Sequence, residues 1–366
     1  MKVIISKTAL VALISKIQGV VPSKPSLPVL GNVLIEAVAD QLLISGTDLT
    51  VSMRAYAEAK VLEEGAITLP ARKFFQLIRE LTAPQIEIHC TTPEIAYINA
   101  GTSHFKIQGM HKSEFPQLPD FSEGIATTVP PALLKEMLTR SAFAAARDDE
   151  RQVLNGIYLQ IHNNQVVFLA TDGKRLAKLW TPVDLPADYT SSFIIPLKAV
   201  EEMVKILDEK EPLARLIFMK DKISLEVGSI TLISKLLSGQ YPDVSRVIPE
   251  KSQAPITVHR EELASLLRQV SLFTTEDSAS VRFSFVPGEL HLSAMSGEIG
   301  EGKVSMPVNY GGEKLEVAFK PHYFLDILRH SKDETIEFDI TDPYNPALIT
   351  DSSSALFVIM PMRLET

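Results

Sequence analysis

Cysteine occurs once in the 366 residues, at Cys90. A single thiol excludes a disulfide framework and a thiolate metal cluster, and it suits a reducing compartment. Long apolar runs are also missing. Lys7 and Lys16 interrupt the opening stretch, leaving only Ala9 to Ile14 unbroken, with no small-residue cleavage site behind it. Nothing reaches the roughly 18 apolar residues that a spanning helix needs, so the chain reads as cytoplasmic, with no membrane partner. Basic charge is in deficit: 36 Lys and Arg against 45 Asp and Glu give −9. At face value that argues against a nucleic-acid binder, whose footprint is basic.

Catalytic signatures are missing as well. The eight histidines are scattered without HExxH spacing, and His104 and His111 fall on a strand-like stretch, so no metal site is expected. No GxSxG or Cys–His arrangement occurs. Gly297 to Lys303 matches the spacing of a phosphate-binding GxxxxGK loop, but Val304 stands where Ser or Thr is required and a strand-like run follows. Glu298 and Glu301 sit where phosphate would lie, and a hairpin connection is the expectation. Asp148-Asp149-Glu150 follows a helical pattern and reads as a solvated loop. The expectation is therefore no catalytic residue, no cofactor and no enzyme activity.

What the chain does contain is a repeat. Hydrophobic residues make up 45% and charged ones 22%, an ordinary globular composition with ample core. Pro70, Pro196 and Pro321, spaced 126 and 125 apart, each follow an apolar strand-like stretch and open an apolar helical pattern. Proline fits the first helical turn, where its missing N–H costs nothing. A second helix heads each unit, from Ser6, Pro130 and His259, with apolar residues at i, i+3 and i+4 as in Leu263, Leu266, Leu267 and Val270. Alternating strand-like runs lie between and after the helices. Thr47-Asp48 recurs as Thr171-Asp172, and Ala294-Met295 holds the corresponding third place. Phe115-Pro116 recurs as Tyr241-Pro242 in turn-rich joints. The reading is α+β: three domains of one fold, residues 1–122, 123–251 and 252–366, each with two helices on an antiparallel sheet.

Charge divides by element. Six helices expected over 6–21, 70–81, 130–147, 196–208, 259–273 and 320–332 hold 15 Lys and Arg against 8 Asp and Glu, a balance of +7 that leaves −16 for the rest. This describes a basic helical surface and an acidic sheet surface, suited to phosphate contact without base reading.

Several strings in order along the chain carry a resemblance: SLPVLGNVLIE (26–36), GTDLTVSM (46–53), LPARKFF (69–75), LNGIYL (154–159), ATDGKRLA (170–177), QYPDVSRVIP (240–249) and VIMPMRL (358–364). The sequence resembles the bacterial DNA polymerase III β subunit family, the sliding clamps, over essentially its whole length. The resemblance implies the DNA-clamp fold, closed as a head-to-tail homodimer ring with sheets outside and helices lining the hole. Twelve helices spaced about 9–10 Å apart leave a hole of about 25–30 Å, and duplex DNA, roughly 20 Å across, passes through it with a margin. It also implies a processivity subunit of a polymerase holoenzyme, without its own catalytic site. Its partners are double-stranded DNA held topologically, the DNA polymerase III catalytic subunit, an ATP-dependent clamp loader, and other polymerases and repair proteins.

Carried over by position, the DNA-facing residues are Lys24, Arg72, Lys73, Arg79, Arg151 and Lys198. Two departures stand beside them: Asp148-Asp149-Glu150 precedes LNG where the family is often polar or aromatic, and Leu197 neighbours Lys198 where a basic residue is common. The implied peptide pocket comprises Leu154, Thr171, Gly173, Lys174, Arg175, Leu176, Pro242, Arg246, Val247, Val358, Met360, Pro361, Met362 and Leu364. It would take flexible Gln/Leu/Phe-containing segments on adaptable methionines. On the residues alone VIMPM reads equally as a last edge strand; the resemblance favours the pocket. At the dimer interface Phe105 and Ile107 would meet Leu272 and Phe273 of the other subunit, with Glu298 and Glu301 as rim acids for Lys106 or His104. The alternative reading is a repeat-built peptide-docking scaffold that never binds DNA.

Overall fold

A computed structural model of the chain describes residues 1–119, 124–186, 188–252, 254–275 and 280–363. Three stretches repeat one order of elements. The first runs β1 (Lys2–Ser6), α1 (Lys7–Ile17), β2 (Asn32–Val38), β3 (Gln41–Thr47), β4 (Val51–Glu58), β5 (Lys60–Glu63), β6 (Gly65–Pro70), α2 (Ala71–Glu80), β7 (Gln85–Thr92), β8 (Ile95–Ala100) and β9 (Ser103–Gln108). The second runs β10 (Ile125–Val129), α3 (Pro131–Ala142), β11 (Gly156–His162), β12 (Gln165–Thr171), β13 (Arg175–Pro182), β14 (Ser191–Pro196), α4 (Leu197–Ile206), β15 (Ala214–Phe218), β16 (Lys222–Val227) and β17 (Ile230–Lys235). The third runs β18 (Ile256–His259), α5 (Arg260–Ser271), β19 (Val281–Val286), β20 (Glu289–Ser296), β21 (Gly300–Pro307), β22 (Leu315–Phe319), α6 (Pro321–His330), β23 (Thr335–Asp339), β24 (Ala347–Thr350) and β25 (Ala355–Ile359). The α+β plan with two helices per repeat is as the periodicity predicts. Among the described residues only β5 lacks a counterpart.

The chain gathers into two compact units, residues 1–135 with 198–236, and 136–197 with 237–366. In the first unit the sheets run β5-β1-β7-β8-β9 and β10-β15-β16-β17-β4-β3-β2-β6; in the second they run β14-β11-β12-β13-β25-β24-β23-β18 and β21-β20-β19-β22. Every pairing is antiparallel. The second repeat is divided between the units because each of its sheets is shared with a neighbouring repeat. At the first joint Leu232 of β17 opposes Met53 of β4, and at the second Phe357 of β25 opposes Ala177 of β13. Both joints thus use the same register, with the last strand of one repeat against the third sheet strand of the one before.

The joint corrects the edge-strand reading of VIMPM. Strand β25 pairs with β13 on one side and β24 on the other, so it is an interior strand. The segment beyond it is the third copy of a return: Met110, Leu237 and Met362 each donate a backbone N–H to the edge strand of their sheet, at Thr68, Ile194 and Ala318 (3.1, 2.9 and 2.7 Å).

The helices follow from their stripes. In α2, Ala71, Phe74 and Ile78 are buried while Arg72, Lys73 and Arg79 are exposed, the one-sided burial of a helix on a sheet. All six helices are shorter than the spacing predicts, and as observed they carry 12 Lys and Arg against 7 Asp and Glu, or +5. The sign of the segregation stands. Two of those cations cap neighbouring helices: the Lys7 ammonium donates to the carbonyls of Arg79 (3.0 Å) and Leu81 at the end of α2, and Arg260 donates to those of Leu328 (3.3 Å) and Asp333 (2.8 Å) at the end of α6. Each is the first residue of its repeat's first helix, and each complements the negative end of the second helix.

The prolines need correction. Pro70 and Pro196 end the edge strands β6 and β14, one residue ahead of α2 and α4, whereas Pro321 is the first residue of α6. Sheet pairing matches Pro70 and Pro196 with Lys320, not Pro321, since Leu69, Ile195 and Phe319 share one register. Proline is tolerated there because an edge strand has no neighbour for its missing N–H. Likewise Met295, not Ala294, answers Thr171, because Leu169 opposite Tyr158 and Ser293 opposite Arg282 share one register. Gly297 and Gly300 lie in that hairpin, as expected.

The Thr-Asp pair builds one turn twice. Thr47 and Thr171 accept the N–H two residues on, at 3.0 Å in both repeats, while Asp48 and Asp172 accept the next two amide N–H groups at 2.7–2.9 Å. The turn requires a left-handed residue: Gly173 supplies it with φ +81, but Leu49 is forced into it with φ +75. A left-handed non-glycine residue costs about 1–2 kcal/mol, against about 0.5–1 kcal/mol for the extra freedom of glycine. Leu49 is 42% exposed and loses little burial on truncation. Leu49→Gly is therefore expected to stabilise the fold by about 0.5–1 kcal/mol, read as a higher urea midpoint at unchanged slope; a lower midpoint would show that the turn is not strained.

Candidate functional site

The Thr171 turn stands at the mouth of a groove of about 180 Å³. Its wall is the β12–β13 turn, with Thr171, Gly173, Lys174, Arg175 and Leu176; Arg151 and Leu154 come from the segment before β11; Pro242, Asp243, Val244 and Val247 come from the linker; Val358 and Met360 come from the end of β25. The floor is apolar and anchored below: Leu176 and Val358 pack with Leu348, and Leu154 packs with Leu169, Ile194 and Tyr241. Tyr241 fastens linker to turn, its hydroxyl accepting the Thr171 N–H at 3.1 Å while its ring stacks on Tyr158 at 4.8 Å. Burial pushes the Tyr241 phenol well above its ordinary value, so it remains a neutral hydroxyl.

The cations of the groove differ in what holds them. Arg175 is nearly buried, paired with Asp172 (3.2 Å) and Asp326 (2.5 Å), and it lies over the rings of Tyr323 (4.6 Å) and Phe143 (5.3 Å). It joins the turn to α6 and to Phe143, just past α3, rather than facing the opening. Arg151 is paired with Asp149. Lys174 has no ion pair among the described residues. The mouth is thus apolar with polar groups on its rim, the character of a site for short peptide segments.

Ten of the fourteen pocket residues expected from sequence line this groove: Leu154, Thr171, Gly173, Lys174, Arg175, Leu176, Pro242, Val247, Val358 and Met360. Arg246 is exposed on the short turn Ser245–Val247 beside it. Pro361 and Met362 lie past Met360, with Met362 tied to Ala318, and Leu364 lies outside the described residues. Asp243 and Val244 were missed; a period-based reading would not single out Val244, and Asp243 is a turn former that accepts the Ser245 N–H at 2.9 Å. Arg151, expected among the DNA-facing cations, is a groove residue.

The remaining basic candidates divide similarly. Arg72 and Lys73 are exposed in the first turn of α2 without an ion pair among the described residues, and Arg79 lies in its last turn over Phe75 at 5.5 Å. Lys24 is exposed in the loop after α1. Lys198, at the start of α4, is paired with Asp48.

The expected interface residues sit on or beside two edge strands. Strands β9 and β21 each end their sheet. Phe105 is exposed on β9 with Ile107 half-buried beside it, and Leu272, at the end of α5, is 73% exposed. Phe273 packs against Gly302 of β21, where a Cβ would come within 2.5 Å of its ring. Glu298 and Glu301 are exposed at the β20–β21 hairpin, and Glu301 pairs with Lys303 at 2.5 Å.

Comparison with known proteins places these features in a family. Residues 1–119, 128–243 and 245–363 match in turn the N-terminal, central and C-terminal domain models of the DNA polymerase III beta subunit. The chain is 51% identical over 365 residues to the beta sliding clamp of Chlamydia pneumoniae, covering 100% of this chain and 99% of that protein. It is 31% identical to the beta sliding clamp of Escherichia coli K12, covering all of both. Among solved structures, the DNA polymerase sliding clamps of Bacillus subtilis and Pseudomonas aeruginosa superpose with TM-scores of 0.95 and 0.94 at 27% and 28% identity, covering all of each chain. Three repeats of one fold, one domain model for each, and relatives matched end to end show that the chain belongs to the DNA polymerase III beta subunit family, the beta sliding clamps.

Proposed function

We propose that two copies of this chain join head to tail around duplex DNA and hold the replicative polymerase and other partners on it, making synthesis processive without any chemistry of their own. The observation that carries this is the joint register. Within the chain β17 pairs with β4, and β25 pairs with β13; the strands in the corresponding places, β9 and β21, are left without that neighbour. Pairing them between copies by the same register sets Phe105 opposite Gly302, Lys106 opposite Glu301, and His104 opposite Lys303. Phe105 would then cover the glycine on which the partner's Phe273 lies, beside Leu272. Lys106 would meet the rim acid Glu301, with Glu298 near the same edge. The domains divide near residues 122 and 251.

In this reading the basic face lies toward phosphates: Arg72, Lys73 and Arg79 of α2 and Lys24 of the loop after α1, with no ion pair among the described residues, and Lys198, held by Asp48. A modest cationic lining attracts the duplex without gripping it. The groove, with Arg246, Pro361, Met362 and Leu364 at its rim, takes Gln/Leu/Phe-containing segments of the polymerase catalytic subunit, of an ATP-dependent loader and of repair proteins. The setting is the cytoplasm.

The test is charge reversal at Arg72, Lys73 and Arg79 to Glu together. These side chains are exposed, so dimer mass and peptide binding should not change. Retention on nicked circular DNA should fall, with the salt dependence of binding weakened by about one unit for each lost phosphate contact. Unchanged loading and retention would leave a peptide-docking scaffold that does not bind DNA. A clamp still held after the circle is cut would contradict topological binding.

A further inference from the structure

We propose that Asp149 and Asn155 are positioning residues that fix Arg151 as a charge-balanced donor fork on the rim of the groove, so that Arg151 serves partner docking and not DNA. The inference rests on the reading of the groove as the peptide site. After α3 the chain turns sharply at Asp148, whose φ is +59. Asn155 then grips Asp149 from both sides of its backbone: its Oδ1 accepts the Asp149 N–H at 3.0 Å, and its Nδ2 donates to the Asp149 carbonyl at 2.9 Å. The carboxylate so held accepts three bonds from Arg151, from the backbone N–H at 2.8 Å, from Nε at 3.0 Å and from Nη2 at 3.1 Å.

A two-point carboxylate pair sets the plane of the guanidinium as well as its position. Nη2 consequently lies 3.5 Å from where a Cβ on Gly173 would stand, beside the turn that walls the groove. Two consequences follow. The pair is electrically balanced, so Arg151 adds little attraction for a phosphate backbone. The N–H groups of Nη1 and the outer one of Nη2 remain, in a fixed plane at the groove mouth. Such donors fit a neutral oxygen, either a main-chain carbonyl of an extended segment or the amide oxygen of its Gln. Lys174, also on the groove, has no ion pair among the described residues.

The test uses the full-length dimer, a fluorescently labelled synthetic peptide carrying Gln, Leu and Phe, and nicked circular duplex DNA with the loader. Arg151→Ala and Asp149→Ala should each weaken peptide binding about tenfold, and the double variant should be no worse than Arg151→Ala alone. Arg151→Lys, which keeps the charge but not the fork, should lose as much as Arg151→Ala, while Asp149→Glu should recover part of the affinity. Loading by the loader, which docks in the same groove, should slow, but the lifetime on DNA of clamps already loaded, and its salt dependence, should not change. Losses that multiply in the double variant, full binding by Arg151→Lys, or a shorter lifetime on DNA of already loaded Arg151→Ala clamps would each overturn the proposal. If the unaltered protein fails to bind the peptide, the groove reading itself fails.

Discussion

Phe105→Asp is expected to convert the protein from a dimer of about 80 kDa into a 40.4 kDa monomer at micromolar concentration, and with that to abolish retention on circular DNA. Strand β9 is an unpaired edge carrying an exposed aromatic residue, and a charge on such an edge is how sheets block edge-to-edge pairing. In the proposed register the carboxylate would face Gly302 and the ring of Phe273, an apolar patch that cannot solvate it. The effect on dimerisation should exceed a hundredfold, equivalent to about 3 kcal/mol. The groove lies on other strands, so peptide binding by the monomer should stay within twofold. The register has its own check: Lys106→Glu and Glu301→Lys should each weaken the dimer and together restore it. A dimer that survives Phe105→Asp, or a double variant weaker than either single one, would place the contact elsewhere.

Arg140→Met should have the largest effect on stability, a loss of about 3–5 kcal/mol, as when one partner of a buried ion pair is removed. Arg140 is almost fully buried at the end of α3. Its Nη2 pairs with Asp351 at 2.6 Å, its Nη1 bonds Glu136 (3.1 Å) and Ser353 (2.9 Å), and its Nε donates to the His330 carbonyl at 2.7 Å. The Asp351 side chain is wholly buried. With the guanidinium gone, Asp351 keeps the N–H groups of Lys332 and Ser353 but no buried cation. The second repeat's first helix would thereby lose its ion pair with the β24–β25 turn and its bond to the last carbonyl of α6, while Glu136 keeps its pair with Lys332 at 2.7 Å. Pairing Arg140→Met with Asp351→Asn should cost less than Arg140→Met alone, because the stranded charge is removed. Urea unfolding measures both; a loss below about 1 kcal/mol for Arg140→Met would mean that the network is solvated.

The repeat was legible because it is written in local patterns. Alternation with period two, apolar helical stripes, prolines at strand ends and the Thr-Asp turn each depend on residues close in sequence, and all recur about 125 apart. The off-by-one placements of Pro321 and Ala294 have the same origin: counting residues cannot fix a register to the single residue, whereas strand pairing can. The groove was legible in ten residues through resemblance, since its motifs stand at matching positions. Val244 and Asp243 were not, because nothing in their spacing distinguishes them from other turn residues.

The identity of the available cations was illegible. Lys7 reaches carbonyls 72 and 74 residues away, Lys198 reaches Asp48 150 residues back, and Arg175 reaches Asp326 151 residues on. A charge count treats these side chains like Arg72 and Lys73, which have no ion pair among the described residues. By itself the sequence determined the three α+β repeats, the basic sense of their helices and the family, because local periodicity and ordered motifs survive without knowledge of any long-range contact. Only the tertiary structure decided which strands join the repeats, that β25 is interior, and which cations are already neutralised. Strand neighbours and ion pairs are set by packing between segments far apart in the chain, and the sequence holds no local record of them.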